Sequence, residues 1–509
     1  MSDALRARLA TVTDLQHAAA VLDWDQETYM PSGGAEARAR QTATLRRLAH
    51  EALTSDETGA LLDAAAGALG PDAGETERAL VDVTRRDRAR ALCLPAAFVE
   101  AQAAAQAEAM EAWKHARAAD RFADFAPHLE RLVGMAVEEA DRVAPVVAEA
   151  RGPGYAPTDA DRRYDALLDL YEPGASTAEV AAVFDELLAG LVPLVQRVTA
   201  RPAPDASFLH ATYDENAQWQ LSLDVAAALG YDGARGRLDR SAHPFSTSFS
   251  AADCRITTRV DARFFPTAFF GTVHETGHAL YEQGFPPELD RTPLAAGASL
   301  GMHESQSRLW ENLVGRSPAF WRRWYPDVQR RFPDALAGVP EDAFVAALHR
   351  VEPSLIRVEA DELTYHLHVL LRFEIERALL AGTLAVRDVP EAWNERMRQY
   401  LGIVPPSDAD GCLQDVHWAM GAVGYFPTYT LGTLMSVQLW SAMARDLGDL
   451  DARVAGGDYA ALLGWLRAHV HRWGRVRTAG EILHAATGDR LSAAPWLAYA
   501  EARYDPPAR

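Results

Sequence analysis

Phe269-Phe270-Gly271-Thr272-Val273-His274-Glu275-Thr276-Gly277-His278-Ala279-Leu280-Tyr281 is the stretch on which the fold turns. It holds no proline, and apolar and aromatic residues surround a polar pentapeptide. Read as a helix, it sets residues four apart on one face, so His274 and His278 present two imidazoles to a single ion. Glu275 follows the first of them by one residue, about 100° round the helix. There it flanks the ion, where a carboxylate can hold and deprotonate a water. Two histidine ligands beside a general base are the chemistry of a zinc-dependent peptidase.

A catalytic zinc takes three protein ligands and leaves a position open. Downstream of His278 the candidates are Glu282, Glu288, Asp290, His303, Glu304 and Glu311. Glu282 shares the helix face, but ligands on successive turns of one straight helix diverge too far to surround an ion. A second helix is required, and the run Ser299-Leu300-Gly301-Met302-His303-Glu304-Ser305-Gln306-Ser307-Arg308-Leu309-Trp310-Glu311-Asn312-Leu313 has the period for one. Pro286-Pro287 and the region of Gly297 supply the turn between the two. Glu304 falls in the first turn; spacing alone leaves it level with the other acids.

The motif resembles that of the carboxypeptidase Taq family of thermostable metallocarboxypeptidases, in which His-Glu-Thr-Gly-His is followed, here after 25 intervening residues, by Glu304 in His303-Glu304-Ser305-Gln306-Ser307-Arg308. Further stretches carry the likeness: Trp24-Asp25-Gln26-Glu27, Met30-Pro31, His243-Pro244-Phe245, Asp253-Cys254-Arg255-Ile256-Thr257, Ile356-Arg357-Val358-Glu359-Ala360-Asp361, Gly411-Cys412-Leu413-Gln414-Asp415-Val416-His417-Trp418 and Gly424-Tyr425-Phe426-Pro427-Thr428-Tyr429. They run in order through the whole chain. The resemblance implies a mainly α fold related to neurolysin and angiotensin-converting enzyme, an elongated helical metallopeptidase with a deep substrate groove.

Carried onto matching positions, the resemblance makes His274, His278 and Glu304 the metal ligands and Glu275 the general base. A neutral histidine pair and one carboxylate leave Zn2+ with net positive charge, enough to acidify its water. The resemblance also points to His417 and Tyr429, with Tyr425 next, as oxyanion donors. An arginine fork suits a substrate's C-terminal carboxylate. Arg357 is the first choice and Arg255 the second, the alternative being that they pair with Asp361 and Asp253. His243, preceding a proline, belongs in an extended loop near the groove. His366 and His368 point to different helix faces and read as core or supporting residues.

The rest of the chain reads as one continuous helical body of 1–509, a helical N-terminal half to about residue 235 followed by a catalytic half, 236–509. Windows such as 96–118, 176–200 and 363–380 are rich in strong helix formers. Phe245-Ser246-Thr247-Ser248-Phe249 and Arg255-Ile256-Thr257-Thr258-Arg259-Val260 depart from this. They alternate and favour a small β-sheet just before the metal helix, whose edge would bind an extended peptide.

The formal net charge of −21 argues against nucleic acid as a partner, since phosphates would be repelled. No run of about 20 apolar residues is present to cross a membrane. The start, Met1-Ser2-Asp3-Ala4-Leu5-Arg6, lacks the apolar core of a signal peptide. Cys93, Cys254 and Cys412 are widely spaced and odd in number, as expected of reduced thiols in a cytoplasm. The expectation is a carboxypeptidase acting on peptides, with one Zn2+ per subunit (Co2+ or Mn2+ being compatible donors' choices) and, from the resemblance, a homodimer. An oligoendopeptidase of the same fold, or an inactive helical binding protein, are the competing readings.

Overall fold

The computed structural model describes residues 3–506, and most of them are helical. The chain divides into two compact units. The first comprises Met1–Ala91, Pro204–Leu348 and Met435–Arg490; the second comprises Leu92–Ala203, His349–Leu434 and Leu491–Arg509. Residue 235 falls inside a segment of the first unit.

Local sequence accounts for the helix limits. Pro95 stands in extended backbone before helix Ala96–Ala119. Ser176 and Glu179 satisfy each other's backbone donors in a capping box that starts Thr177–Thr199. In the second unit, helix Thr364–Leu380 is buried along nearly its whole length, with the Phe373 ring edge-on to both Tyr164 and Phe184.

In the first unit the motif sits on helix Phe265–Glu282, which begins from extended Phe264 with a proline in its first turn. Phe265, Ala268, Phe269, Val273, Leu280 and Tyr281 are all buried, so this is a central helix rather than an amphipathic surface one. Its first turns enter an aromatic cluster with Trp321, Phe332 and Phe344. Its end is tied down by Gln283, whose amide donates to the carbonyls of Asp232 and Arg235 and accepts from the Asp232 amide.

The small sheet packs on this helix. It has three strands, β1 (Leu238–Arg240), β2 (Ser246–Ser250) and β3 (Asp253–Thr258), in the order β1-β3-β2. β2 and β3, the two stretches expected to form the sheet, pair antiparallel, with an irregularity between Ser248 and Ser250. β1, which has no strand signal of its own, adds in parallel to the other side of β3. β2 is therefore an edge. Among the described residues, no helix is long and apolar enough to cross a membrane.

Candidate metal centre

The second ligand-bearing element is helix Leu300–Arg308, capped by the Ser299 hydroxyl, which accepts from the Met302 amide. It does not continue as an α-helix to residue 313. From Leu309 to Gly315 the backbone is π-helical, a rare form that concentrates at functional sites. This helix lies against the motif helix at Gly277. A Cβ there would meet Ser307 Cα at 2.6 Å and the Gln306 carbonyl oxygen at 2.7 Å, so the two backbones touch only because that residue has no side chain.

This contact delivers Glu304 to the histidines. One of its oxygens, Oε2, lies 3.5 Å from His274 Nε2 and 3.5 Å from His278 Nε2. The three ligand atoms all fall within 4.8 Å of one another. An ion about 2.0–2.2 Å from tetrahedral N and O donors would space them roughly 3.3–3.6 Å apart, so the donor set fits a divalent metal in both chemistry and size.

Each ligand is oriented by a further group. Glu311, the first acid of the π-helical stretch, has Oε2 at 2.9 Å from His274 Nδ1. Arg308 bridges Glu304 and Glu311, donating Nε to one at 2.7 Å and Nη1 to the other at 3.1 Å. Arg316 donates to the remaining oxygen of Glu311. The Ser307 hydroxyl donates to Glu304 Oε2 at 3.0 Å. His278 Nδ1 faces His303 Nδ1 at 2.6 Å, and His303 Nε2 faces Glu282 Oε1 at 2.7 Å. Of the six downstream candidates for third ligand, Glu304 alone joins the cluster; Glu282, His303 and Glu311 stand behind it.

The electrostatics follow from burial and these partners. Burial would raise the Glu304 carboxyl, but Arg308 and the two histidines hold it well below the carboxylate range. Glu311 is held low in the same way by Arg308, His274 and Arg316. Burial disfavours charge on His274, yet the carboxylates of Glu304 and Glu311 outweigh it and raise its pKa. A metal ion would take the place of that proton. His278 is driven by burial down to about 3 and is a neutral ligand at pH 7. Glu275, buried beside the cluster, is pushed up to about 7, chiefly by desolvation, with Ser246 of β2 hydrogen-bonded to it.

The remaining expected site residues fall into other groupings. His417, Tyr425, Tyr429 and Arg357 belong to the second unit. There His417 Nε2 lies 3.1 Å from the Tyr429 hydroxyl, and its ring is 5.4 Å from that of Tyr425. Burial lowers the His417 pKa to about 4. Arg357 is buried and pairs not with Asp361 but with Asp415, through Nε at 3.1 Å and Nη2 at 2.8 Å. Asp415 is also held by the fully buried Arg372, a residue that no motif reading singled out. Arg255 pairs with Asp253 through two bonds of 2.8 Å and stacks between Trp24 and Phe249. His243 is exposed in the loop before β2. His366 and His368 are buried core residues, bonded to Thr430 and to the Ser354 carbonyl. Cys254 and Cys412 are buried thiols outside these clusters, and burial pushes Cys254 up to about 12.

Comparison with known proteins agrees with this geometry. The family described as carboxypeptidase Taq (M32) metallopeptidase matches residues 4–504. The chain is 43% identical over 487 residues to thermostable carboxypeptidase 1 of Thermus thermophilus, covering 95% of this chain and 94% of that protein. It is 37% identical over 497 residues to carboxypeptidase 1 of Bacillus subtilis, covering 97% and 96%. The crystal structure of the M32 carboxypeptidase from Deinococcus radiodurans R1 superimposes with a TM-score of 0.93 at 41% identity, over 98% of each chain.

Proposed function

The chain belongs to the carboxypeptidase Taq (M32) family and is a metallocarboxypeptidase, and from that premise we propose how its residues divide the work. The observation that carries the reading is the convergence of His274, His278 and Glu304 beside the buried Glu275. We assign Zn2+ as the ion because two imidazoles and a carboxylate at tetrahedral spacing are its usual donors, although Co2+ and Mn2+ accept them too. When bound, such an ion supplies Lewis acidity, acidifying water and polarising the scissile carbonyl.

Glu275 is the general base. Its carboxylate, buried beside the cluster, takes a proton from the attacking water and returns it to the leaving amine. His417 and Tyr429 supply hydrogen bonds to the oxyanion, with Tyr425 next in line. His417 is suited to this because burial keeps it neutral, with one N–H to donate.

Arg357 receives the substrate's C-terminal carboxylate. Asp415 takes its Nε and Nη2 and the Tyr365 hydroxyl takes Nη1 at 2.8 Å, but Asp415 is shared with Arg372, so the buried trio keeps one net positive charge to attract an anion. Arg255 is neutralised by its own two-point partner Asp253 and is the weaker choice, as is the exposed His243. We further propose a cytoplasmic homodimer with one ion per subunit; three free cysteines suit a reducing compartment.

The test is Glu275→Gln with metal analysis. The variant should bind Zn2+ like the parent and lose turnover by roughly 10²–10⁴-fold. Undiminished turnover in the metal-loaded variant removes Glu275 from the role, and full activity after chelation removes the metal.

A further inference from the structure

The two histidine ligands are supported differently. His274 Nδ1 meets a carboxylate directly, whereas His278 Nδ1 meets another imidazole, that of His303, which in turn meets Glu282. We propose that Glu282 and His303 form a two-link relay that fixes the tautomer of His278 and thereby sets the metal affinity. The inference rests on the metal-site reading above and goes beyond it.

A neutral imidazole carries one N–H and one lone pair. His278 must keep the lone pair on Nε2, the atom 3.5 Å from Glu304 Oε2, so its proton belongs on Nδ1. At 2.6 Å, His278 Nδ1 and His303 Nδ1 share a single proton, and one must donate while the other accepts. A carboxylate only accepts, so Glu282 Oε1, at 2.7 Å, holds the His303 proton on Nε2. His303 Nδ1 is then the acceptor, His278 Nδ1 the donor, and His278 Nε2 is left free for the ion. Without Glu282, His303 is free to carry its proton on Nδ1 and donate it to His278. That moves the His278 proton to Nε2 and blocks the metal position.

The surroundings are fitted to this ring. A Cβ on Gly297 would lie 2.8 Å from His303 Cδ2 and 3.2 Å from Tyr281 Cε1, so the residue that faces the imidazole is one that leaves room for it. The Tyr281 ring lies 5.2 Å from that of His303. The relay also spans both ligand-bearing elements. Glu282 ends the motif helix one turn after His278, and His303 immediately precedes the ligand Glu304. Glu282 and His303 are therefore positioning residues, acting through His278 rather than on substrate.

The experiment is Zn2+ affinity by competition with a chromophoric chelator, on the full chain, for Glu282→Ala, His303→Asn, His303→Phe and the double variant Glu282→Ala/His303→Asn. Removing an outer partner of a histidine ligand lowers metal affinity by about 10–100-fold, and that is the loss expected for Glu282→Ala. The asparagine oxygen can still accept from His278 Nδ1, so His303→Asn should bind more tightly than His303→Phe, which offers no acceptor. In the His303→Asn background, Glu282→Ala should have no further effect, because the link to Glu282 is already cut. The thermal midpoints of the metal-free variants serve as the check on folding. Equal affinity in parent and Glu282→Ala overturns the relay, as does a Glu282→Ala loss of the same size in both backgrounds. A parent chain that fails to bind Zn2+ overturns the metal-site reading itself, and the relay with it.

Discussion

Gly277→Ala places a methyl group where two backbones meet. The added carbon would sit 2.6 Å from Ser307 Cα and 2.7 Å from the Gln306 carbonyl oxygen. Ordinary carbon–carbon contact is about 3.5–4.0 Å, so helix Leu300–Arg308 must retreat by roughly 1 Å. Backbone atoms have no rotamer to escape into. Overpacking of this kind costs about 1–3 kcal/mol, and the better helix propensity of alanine returns at most about 1 kcal/mol. Net destabilisation of up to about 2–3 kcal/mol follows. The functional loss should be larger, because the retreating helix carries Glu304 and misplacement by about 1 Å costs on the order of 10² in rate. Urea denaturation of the metal-free protein, chelator competition for Zn2+ and turnover of a peptide substrate measure the three effects. A Gly277→Ala protein with parental stability, metal affinity and rate would refute the claim that this backbone contact delivers the third ligand.

Asp415→Ala leaves Arg357 and Arg372 buried without their shared carboxylate; breaking a buried pair this way costs about 3–5 kcal/mol, read as a fall in the denaturation midpoint. The His471 ring is fully buried against Gln306, and burial lowers its pKa to about 3. Its ordinary value near 6.5 returns on unfolding, so below that pH the unfolded chain takes a proton that the folded chain refuses. Stability is lost on acidification from about 6.5 towards 3, at about 1.4 kcal/mol per pH unit for this residue. His471→Gln, whose side-chain amide reaches the same partner, should flatten the pH dependence of the denaturation midpoint by that slope; an unchanged profile would show that His471 titrates normally.

Much of the site could be read from sequence because its chemistry is local. His274 and His278 share a face in any helix, and alternation in 245–249 and 255–260 marks two strands of the sheet. The limits of legibility are tertiary. Choosing Glu304 over five other candidates depends on a backbone contact at Gly277, which spacing does not encode. Leu309-Trp310-Glu311-Asn312-Leu313 has the periodicity of an ordinary helix, and its π-helical course is seen only in three dimensions, where Glu311 meets His274 and Arg316. β1 is three residues long and exists because β3 offers it a partner. Arg357 pairs with an acid 58 residues away rather than with one four residues on, and Arg372 looks like any helical arginine until Asp415 is placed beside it.

The central claim is that a metal held by His274, His278 and Glu304 serves cleavage at the free C-terminus. The most direct test is digestion of one peptide and its C-terminally amidated twin, before and after chelation, followed by mass spectrometry. The expected result is a metal-dependent ladder that shortens the free peptide from its C-terminus and leaves the amide intact. Internal cuts in both peptides, or a ladder that survives chelation, would contradict it.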